Sequence, residues 1–167
     1  PHFFIPTTIR LNDNLQDTKS TKDTKFETLI MQQQSNHSGG VFSLDAETEI
    51  LAKAVVDAAI EVHRTLGPGF LESIYEAALC SEFNTRKIPH VKQAVFPVMY
   101  KNQIIGEQRF DLVVDHKIII ELKAVEGLTK THSAQLISYL KATKIRLGFL
   151  INFNEVKLKD GLKRIVC

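Results

Sequence analysis

Phe110-Asp-Leu-Val-Val-Asp-His-Lys-Ile-Ile-Ile-Glu-Leu-Lys123 decides how the rest of the chain is read. Two apolar runs, Leu112–Val114 and Ile118–Ile120, flank the polar residues Asp115, His116 and Lys117, the pattern of a β-hairpin. β-branched residues dominate both runs, so the strands are expected at the centre of a sheet with both faces covered. Asp111, Glu121 and Lys123 nevertheless lie in or against this apolar pair. A lone buried charge is costly, so the three together imply mutual pairing or a bound metal ion.

Strand alternation puts Glu121 and Lys123 on one face. A three-residue loop, 115–117, places Asp111 directly opposite Glu121, whereas a two-residue loop would set Asp111 against Ile120 and turn its carboxylate to the other side. A common site thus requires the odd-length loop. The triplet alone is weak evidence: 11 Glu and 15 Lys in 167 residues should give roughly one Glu-x-Lys by chance. Glu155-Val-Lys157 is such a second copy, without an apolar hairpin, and is expected to be a solvated ion pair.

A chain of 167 residues with 44% hydrophobic and 24% charged residues suits one globular domain. No apolar run approaches the roughly 20 residues of a membrane span, and the opening PHFFIPTTIR lacks the pattern of a signal peptide. It also lacks an initiator Met, so these residues read as a fragment or a misplaced start. Cys80 and Cys167 are too few for a disulfide framework or zinc site. These features predict a reduced, cytoplasmic chain with no membrane partner. The net charge is only +2, but residues 45–83 hold 2 Lys/Arg against 8 Asp/Glu and residues 84–167 hold 15 against 7. A basic face meeting a polyanion fits that asymmetry, as do solvated lysines.

Residues 1–43 are polar, end in the linker-like Gln32–Gly40, and are expected to form a disordered tail; residues 44–167 form the domain. Asp45 caps a helix carrying Ile50, Ala54, Val55, Ala58, Ala59, Val62 and Leu66 inward, closed by Gly67-Pro68. His63, near its end, reads as a surface or cap residue. A second helix runs to about Arg86, with Leu71, Ile74, Ala78, Leu79 and Phe83 inward and Glu72 bordering that stripe. Gly67-x-Gly69 is no dinucleotide fingerprint, because a helix precedes it and Glu72 holds the third glycine position. Strands follow at Val91–Tyr100, with Pro97 marking an edge, and at Ile104–Val114, with Gly106 as a bulge. After the hairpin come a helix over about Thr131–Ala142, with Gln135 and Tyr139 on one face, a strand at Ile145–Phe153, a turn at Asp160-Gly161 and a short tail, Leu162–Val166.

From residue 70 the order is helix, three meandering strands, helix, strand: an α/β layout with one mixed sheet flanked by helices. Gly69-Phe-Leu-Glu72-Ser-Ile-Tyr75, preceded by Glu61-Val-His63 and followed by Glu121-Leu-Lys123-Ala-Val, Gln135-x3-Tyr139-Leu and Ile151-Asn-Phe-Asn154, resembles the GxxExxY branch of the PD-(D/E)XK nuclease superfamily. The likeness covers about residues 45–166 and rests on the order and spacing of motifs that are individually weak. It implies a restriction-endonuclease-like αβββαβ core. It also implies that Asp111 and Glu121 are metal-binding acids, Lys123 the lysine beside them, Glu72 the acid of the first core helix, and Gln135 and Tyr139 the motif of the second. Phe110 stands where the superfamily name has proline.

These residue types suit phosphodiester hydrolysis in DNA or RNA. A hard divalent ion such as Mg²⁺, or Mn²⁺ in its place, acidifies a water and neutralises phosphoryl charge, and it prefers oxygen donors. Asp111, Glu121, Glu72 and the Leu122 carbonyl would supply oxygens. Lys123 would orient the water or stabilise the transition state, and Gln135 and Tyr139 would place a phosphate or buttress the lysine. Zinc at the nearby His116 and His132 is disfavoured, because the shared face offers oxygens and a lysine. The alternative is a catalytically silent module of the same fold that grips nucleic acid or a protein partner; a third reading is an accessory interaction protein with residues 1–43 as its partner-binding arm. The sequence leaves open the substrate, the mode of cutting and the oligomeric state, a dimer included.

Overall fold

The computed structural model describes residues 44–167, so the expected tail, residues 1–43, lies outside the described part. Helix α1 (Ala46–Leu66) and helix α2 (Glu72–Thr85) precede strands β1 (His90–Tyr100), β2 (Gln103–Val114) and β3 (Ile118–Lys123). Helix α3 (Lys130–Thr143), strand β4 (Leu147–Asn152), the short helix α4 (Leu158–Gly161) and strand β5 (Leu162–Val166) complete the domain. The sheet order is β1-β2-β3-β4-β5, antiparallel except where β3 and β4 run parallel through the α3 crossover. This mixed sheet between helices is an α/β, restriction-endonuclease-like fold.

The hairpin follows the odd-length register. Val114 pairs with Ile118 and Leu112 with Ile120, leaving Asp115–Lys117 as the loop. Asp115 and His116 are left-handed at φ 46 and 56, and the Lys117 N–H donates to the Val114 carbonyl at 2.9 Å. Alternation then divides the core. Leu112, Val114, Ile118, Ile120, Leu122, Phe149 and Ile151 pack under α1 and α2, while Val113, Ile119 and Leu150 pack under Leu136, Tyr139 and Leu140 of α3. β2 pairs with β3 only over Leu112–Val114. Beyond that the β1–β2 ribbon continues by itself to a tight turn at Lys101-Asn102, both left-handed.

Several sequence expectations need correction. The buried stripe of α2 is Tyr75, Glu76, Leu79 and Phe83. Leu71 is the residue before the helix and 75% exposed, and Ile74 is also exposed. The cause is Tyr75. Its ring stacks on Phe153 at 4.5 Å, while its hydroxyl donates to the Gly67 carbonyl (2.7 Å) and accepts from the Phe70 N–H (3.1 Å). Those contacts fix the rotation of the helix. Gly67 and Gly69 supply the φ of 69 and 106 that the turn into α2 requires.

On α1, Ile50 is exposed, because the helix docks through Ala52, Val55, Ala58, Ala59 and Val62. His63 is buried rather than superficial: it packs on Phe153, and its Nε2 donates to the Glu155 carbonyl at 2.8 Å. Glu155 and Lys157 form no ion pair among the described residues; the Glu155 carboxylate faces Asn152 instead. The register slip in β1–β2 leaves out Ile105, beside Gly106 and not at it. Leu162–Val166 is a fifth strand, held on β4 by ladder bonds and to α1 by an Arg164–Glu49 ion pair of 2.6 Å. β1 is an edge strand, as Pro97 suggests.

Tyr75→Phe keeps the stacked ring but strands the Gly67 carbonyl and Phe70 N–H, so it is expected to destabilise the domain by about 1–3 kcal/mol in urea unfolding. An unchanged midpoint would show that the hydroxyl does not hold this turn.

Candidate active site

The site forms where β2 and β3 part company. β3 ends in Glu121 and Lys123, which alternation places on the α3 side with Ile119. Lys123 Nζ donates to Glu121 Oε1 at 2.7 Å. The pair is buried, Glu121 at 3% exposure, and Glu121 Oε2 has no hydrogen-bond partner among the described residues. Burial first, then the charge of Asp111 and in part that of Glu72, push the Glu121 pKa up to about 7, against the opposing effect of Lys123. Burial works against the Lys123 ammonium, but its bond to Glu121 and the charges of Glu121, Glu72 and Asp111 outweigh it and hold its pKa above the ordinary lysine value.

Asp111 does not simply face Glu121 across the hairpin. The pairs Val91–Val113 and Lys92–Leu112 obey alternation, with the first on the α3 side and Leu112 on the α2 side. Ala94 and Phe110, one pair further than Gln93 and Asp111, lie again on the α3 side. The pleat is therefore inverted at Gln93 and Asp111, which both turn toward α2. Gln93 takes up the inversion with a left-handed φ of 52, a conformation that costs about 1 kcal/mol or more for a non-glycine residue. Asp111 Oδ2 then accepts the Leu122 N–H at 2.8 Å, bonding to β3 by its side chain just beyond the last backbone pair.

Glu72, the first residue of α2, meets Asp111 in a cleft of about 120 Å³ lined also by Ser73, Glu76, Gln93 and Leu122. Burial raises the pKa of Glu72, opposed by Lys123 and reinforced by Asp111 and Glu76. Burial likewise raises Asp111, against its hydrogen bond from Leu122 and the charge of Lys123. Glu72 and Asp111 thus share the cleft, and Glu121 and Lys123 act on both through their charges without lining it. Among the described residues, no three His, Cys, Asp or Glu side chains close around one point as ligands.

Gln135 and Tyr139 lie together on α3, with the Gln135 amide donating to the Tyr139 hydroxyl. Gln108 of β2 donates to the same oxygen at 2.8 Å. Burial raises the Tyr139 pKa, against the Gln135 hydrogen bond, and the Glu121 charge adds to the rise. His132 is engaged in the α3 capping box with Thr129, and His116 sits in the hairpin loop at the opposite end of β3 from Glu121.

Three residues of this region escaped the sequence reading: Glu76, Gln93 and Gln108. Glu76 carried a usable signal, since it stands four residues after Glu72 and so on the same helical face. Gln93 and Gln108 carried none, because their placement follows from the pleat inversion and from tertiary contact with α3.

A family model described as the PD-(D/E)XK nuclease superfamily matches residues 49–165. A solved structure described as "Crystal structure of SSO0001" shares 13% identity, covering 89% of this chain and 78% of its own, with a TM-score of 0.44. No curated protein matches the chain. Most of the chain, including every acidic residue and lysine of the cleft and its rim, falls within the family match: the chain belongs to the PD-(D/E)XK nuclease superfamily.

Proposed function

We propose that the chain is a metal-dependent nuclease of the GxxExxY branch that hydrolyses phosphodiester bonds in DNA or RNA. In this reading Asp111, Glu121 and Glu72 hold Mg²⁺ or Mn²⁺, and Lys123 activates the attacking water. The observation that carries it is Glu121 Oε2, a buried carboxylate oxygen without a hydrogen-bond partner among the described residues, on which two further carboxylates and a lysine act by charge. A buried oxygen of this kind is costly unless something binds it. All the donors are hard oxygens, which fits Mg²⁺ or Mn²⁺ and not a softer metal.

When bound, such an ion acidifies a water and offsets charge on the phosphoryl oxygens. The chain's own residues supply the rest. Asp111 is fixed by the Leu122 N–H and so presents its other oxygen in a set direction. The Lys123 ammonium, kept charged by its acidic neighbours, places a cation beside the cleft where negative charge develops on a pentacovalent phosphate. Tyr139, held by Gln108 and Gln135, offers a fixed hydroxyl on the α3 side for a phosphate oxygen or for buttressing the lysine. The basic half of the chain suits a nucleic-acid backbone.

Near-isosteric changes keep the fold while removing the chemistry. Glu121→Gln and Lys123→Met are each expected to lower Mg²⁺-dependent cleavage, measured on single- and double-stranded DNA and RNA, by about 100-fold or more. Lys157→Ala, in the second Glu-x-Lys triplet, should leave the rate within about twofold. Wild-type protein that cuts none of these substrates with Mg²⁺ or Mn²⁺ would overturn the reading in favour of a non-cutting nucleic-acid or partner-binding module.

The raised Glu121 pKa gives a separate check without substrate. Between the ordinary value of 4.5 and about 7 the folded state keeps a proton that the unfolded state has released. Metal-free protein should therefore lose stability as pH rises through that window, by on the order of 3 kcal/mol, and change little above it. Glu121→Gln should flatten the slope in urea unfolding across pH 5–8; an equal slope in the variant would assign it to other groups.

A further inference from the structure

Glu76 and Gln93 lie in the cleft, yet neither belongs to the set of ion-binding oxygens proposed above. Glu76 is a buried carboxylate with both oxygens engaged. Lys92 Nζ pairs with Oε1 at 2.8 Å, and the Gln93 amide donates to Oε2. A carboxylate so occupied is not free to hold a metal ion. It is suited to hold the Gln93 amide still. That amide carries two N–H groups, and Asp111 lines the same cleft, where the Gln93 side chain favours its ionised form.

The backbone points the same way. Gln93 and Asp111 lie between the pairs Lys92–Leu112 and Ala94–Phe110, where the pleat inverts, with Gln93 left-handed inside strand β1. Regular pleating would send both side chains to the α3 side, away from Glu72. The inversion brings Lys92 and Gln93 together under Glu76, and turns Asp111 into the cleft beside Leu122.

We propose that Gln93, anchored by Glu76, is a positioning residue that aims the Asp111 carboxylate into the cleft. The inference rests on Asp111 being an ion-binding residue. Groups that hydrogen-bond a metal-binding side chain typically contribute about tenfold to a hundredfold in metal affinity.

Backbone conformation separates this role from a merely structural one. Gln93→Gly removes the amide, and the left-handed strain it relieves offsets the loss of the donor to Glu76, so the fold should stay intact in thermal unfolding. Gln93→Asn also tolerates this φ, but its amide is one methylene short of the span between Glu76 and Asp111. Mn²⁺ affinity of the full chain, followed by electron paramagnetic resonance, should fall by about tenfold or more in Gln93→Gly. It should fall likewise in Gln93→Asn and less in Glu76→Gln, which keeps one oxygen able to accept from Gln93. Wild-type affinity in Gln93→Gly, with the fold intact, would overturn the positioning role and leave the nuclease reading standing. Wild-type protein that binds no Mn²⁺ would overturn both.

Discussion

The constraint on which the site depends is the burial of Glu121 beside Lys123 at the end of β3. Two charges at that depth lose most of their hydration, and a pair in such a place is often no more stable than a well-packed apolar one. One oxygen of Glu121 has no hydrogen-bond partner among the described residues, and two other carboxylates act on it with the same sign. Stability alone does not account for such an arrangement. It has the character of a fold holding charge against its own preference, which is where chemistry is commonly found.

The architecture makes that burial tolerable. β3 is central, paired to β2 by an antiparallel ladder and to β4 by a parallel one, so its backbone is rigid where Glu121 and Lys123 emerge. Asn152, fully buried at the end of β4, secures the loop beyond Lys123 by accepting from the Val125 N–H and donating to the Val125 carbonyl. On the other side the β2–β3 ladder stops at Leu112, and Asp111 continues the connection through its side chain. A sheet that stayed regular here would have no cleft between β2, β3 and α2.

Periodic features were legible in the sequence. The hairpin, the run of strands, the helix after it and the common face of Glu121 and Lys123 follow from apolar spacing, which survives in the folded chain because it is what the core is made of. Spacing alone leaves the loop length open between two and three residues. Other features were not periodic. Strand β5 buries little, so Leu162–Val166 looks like a tail until β4 supplies its partners. The face of α2 was misread because Leu71 and Ile74 are apolar but exposed, and Tyr75 sets the rotation by a hydroxyl contact to a turn. The inversion at Gln93 and Asp111 left no trace, since it lives in one backbone dihedral of an ordinary residue. The odd-length register therefore holds, but alternation gave the wrong direction for the Asp111 carboxylate.

The segment Gly69-Phe-Leu-Glu72-Ser-Ile-Tyr75 illustrates how a motif divides its labour. Gly69 makes possible a turn that few other residues could adopt, and Tyr75 locks that turn from inside the core. Neither lines the cleft, whereas Glu72, between them, does. A carboxylate in the first turn of a helix is electrostatically favoured by the N-terminal end of the dipole, yet burial here raises its pKa, so the dipole alone does not offset desolvation. The glycine and tyrosine hold Glu72 where it would not settle unaided, as Gln93, anchored by Glu76, holds Asp111. The cleft is thus assembled from carboxylates that each need a separate structural device to remain in place. Two such devices converge on a cleft of about 120 Å³.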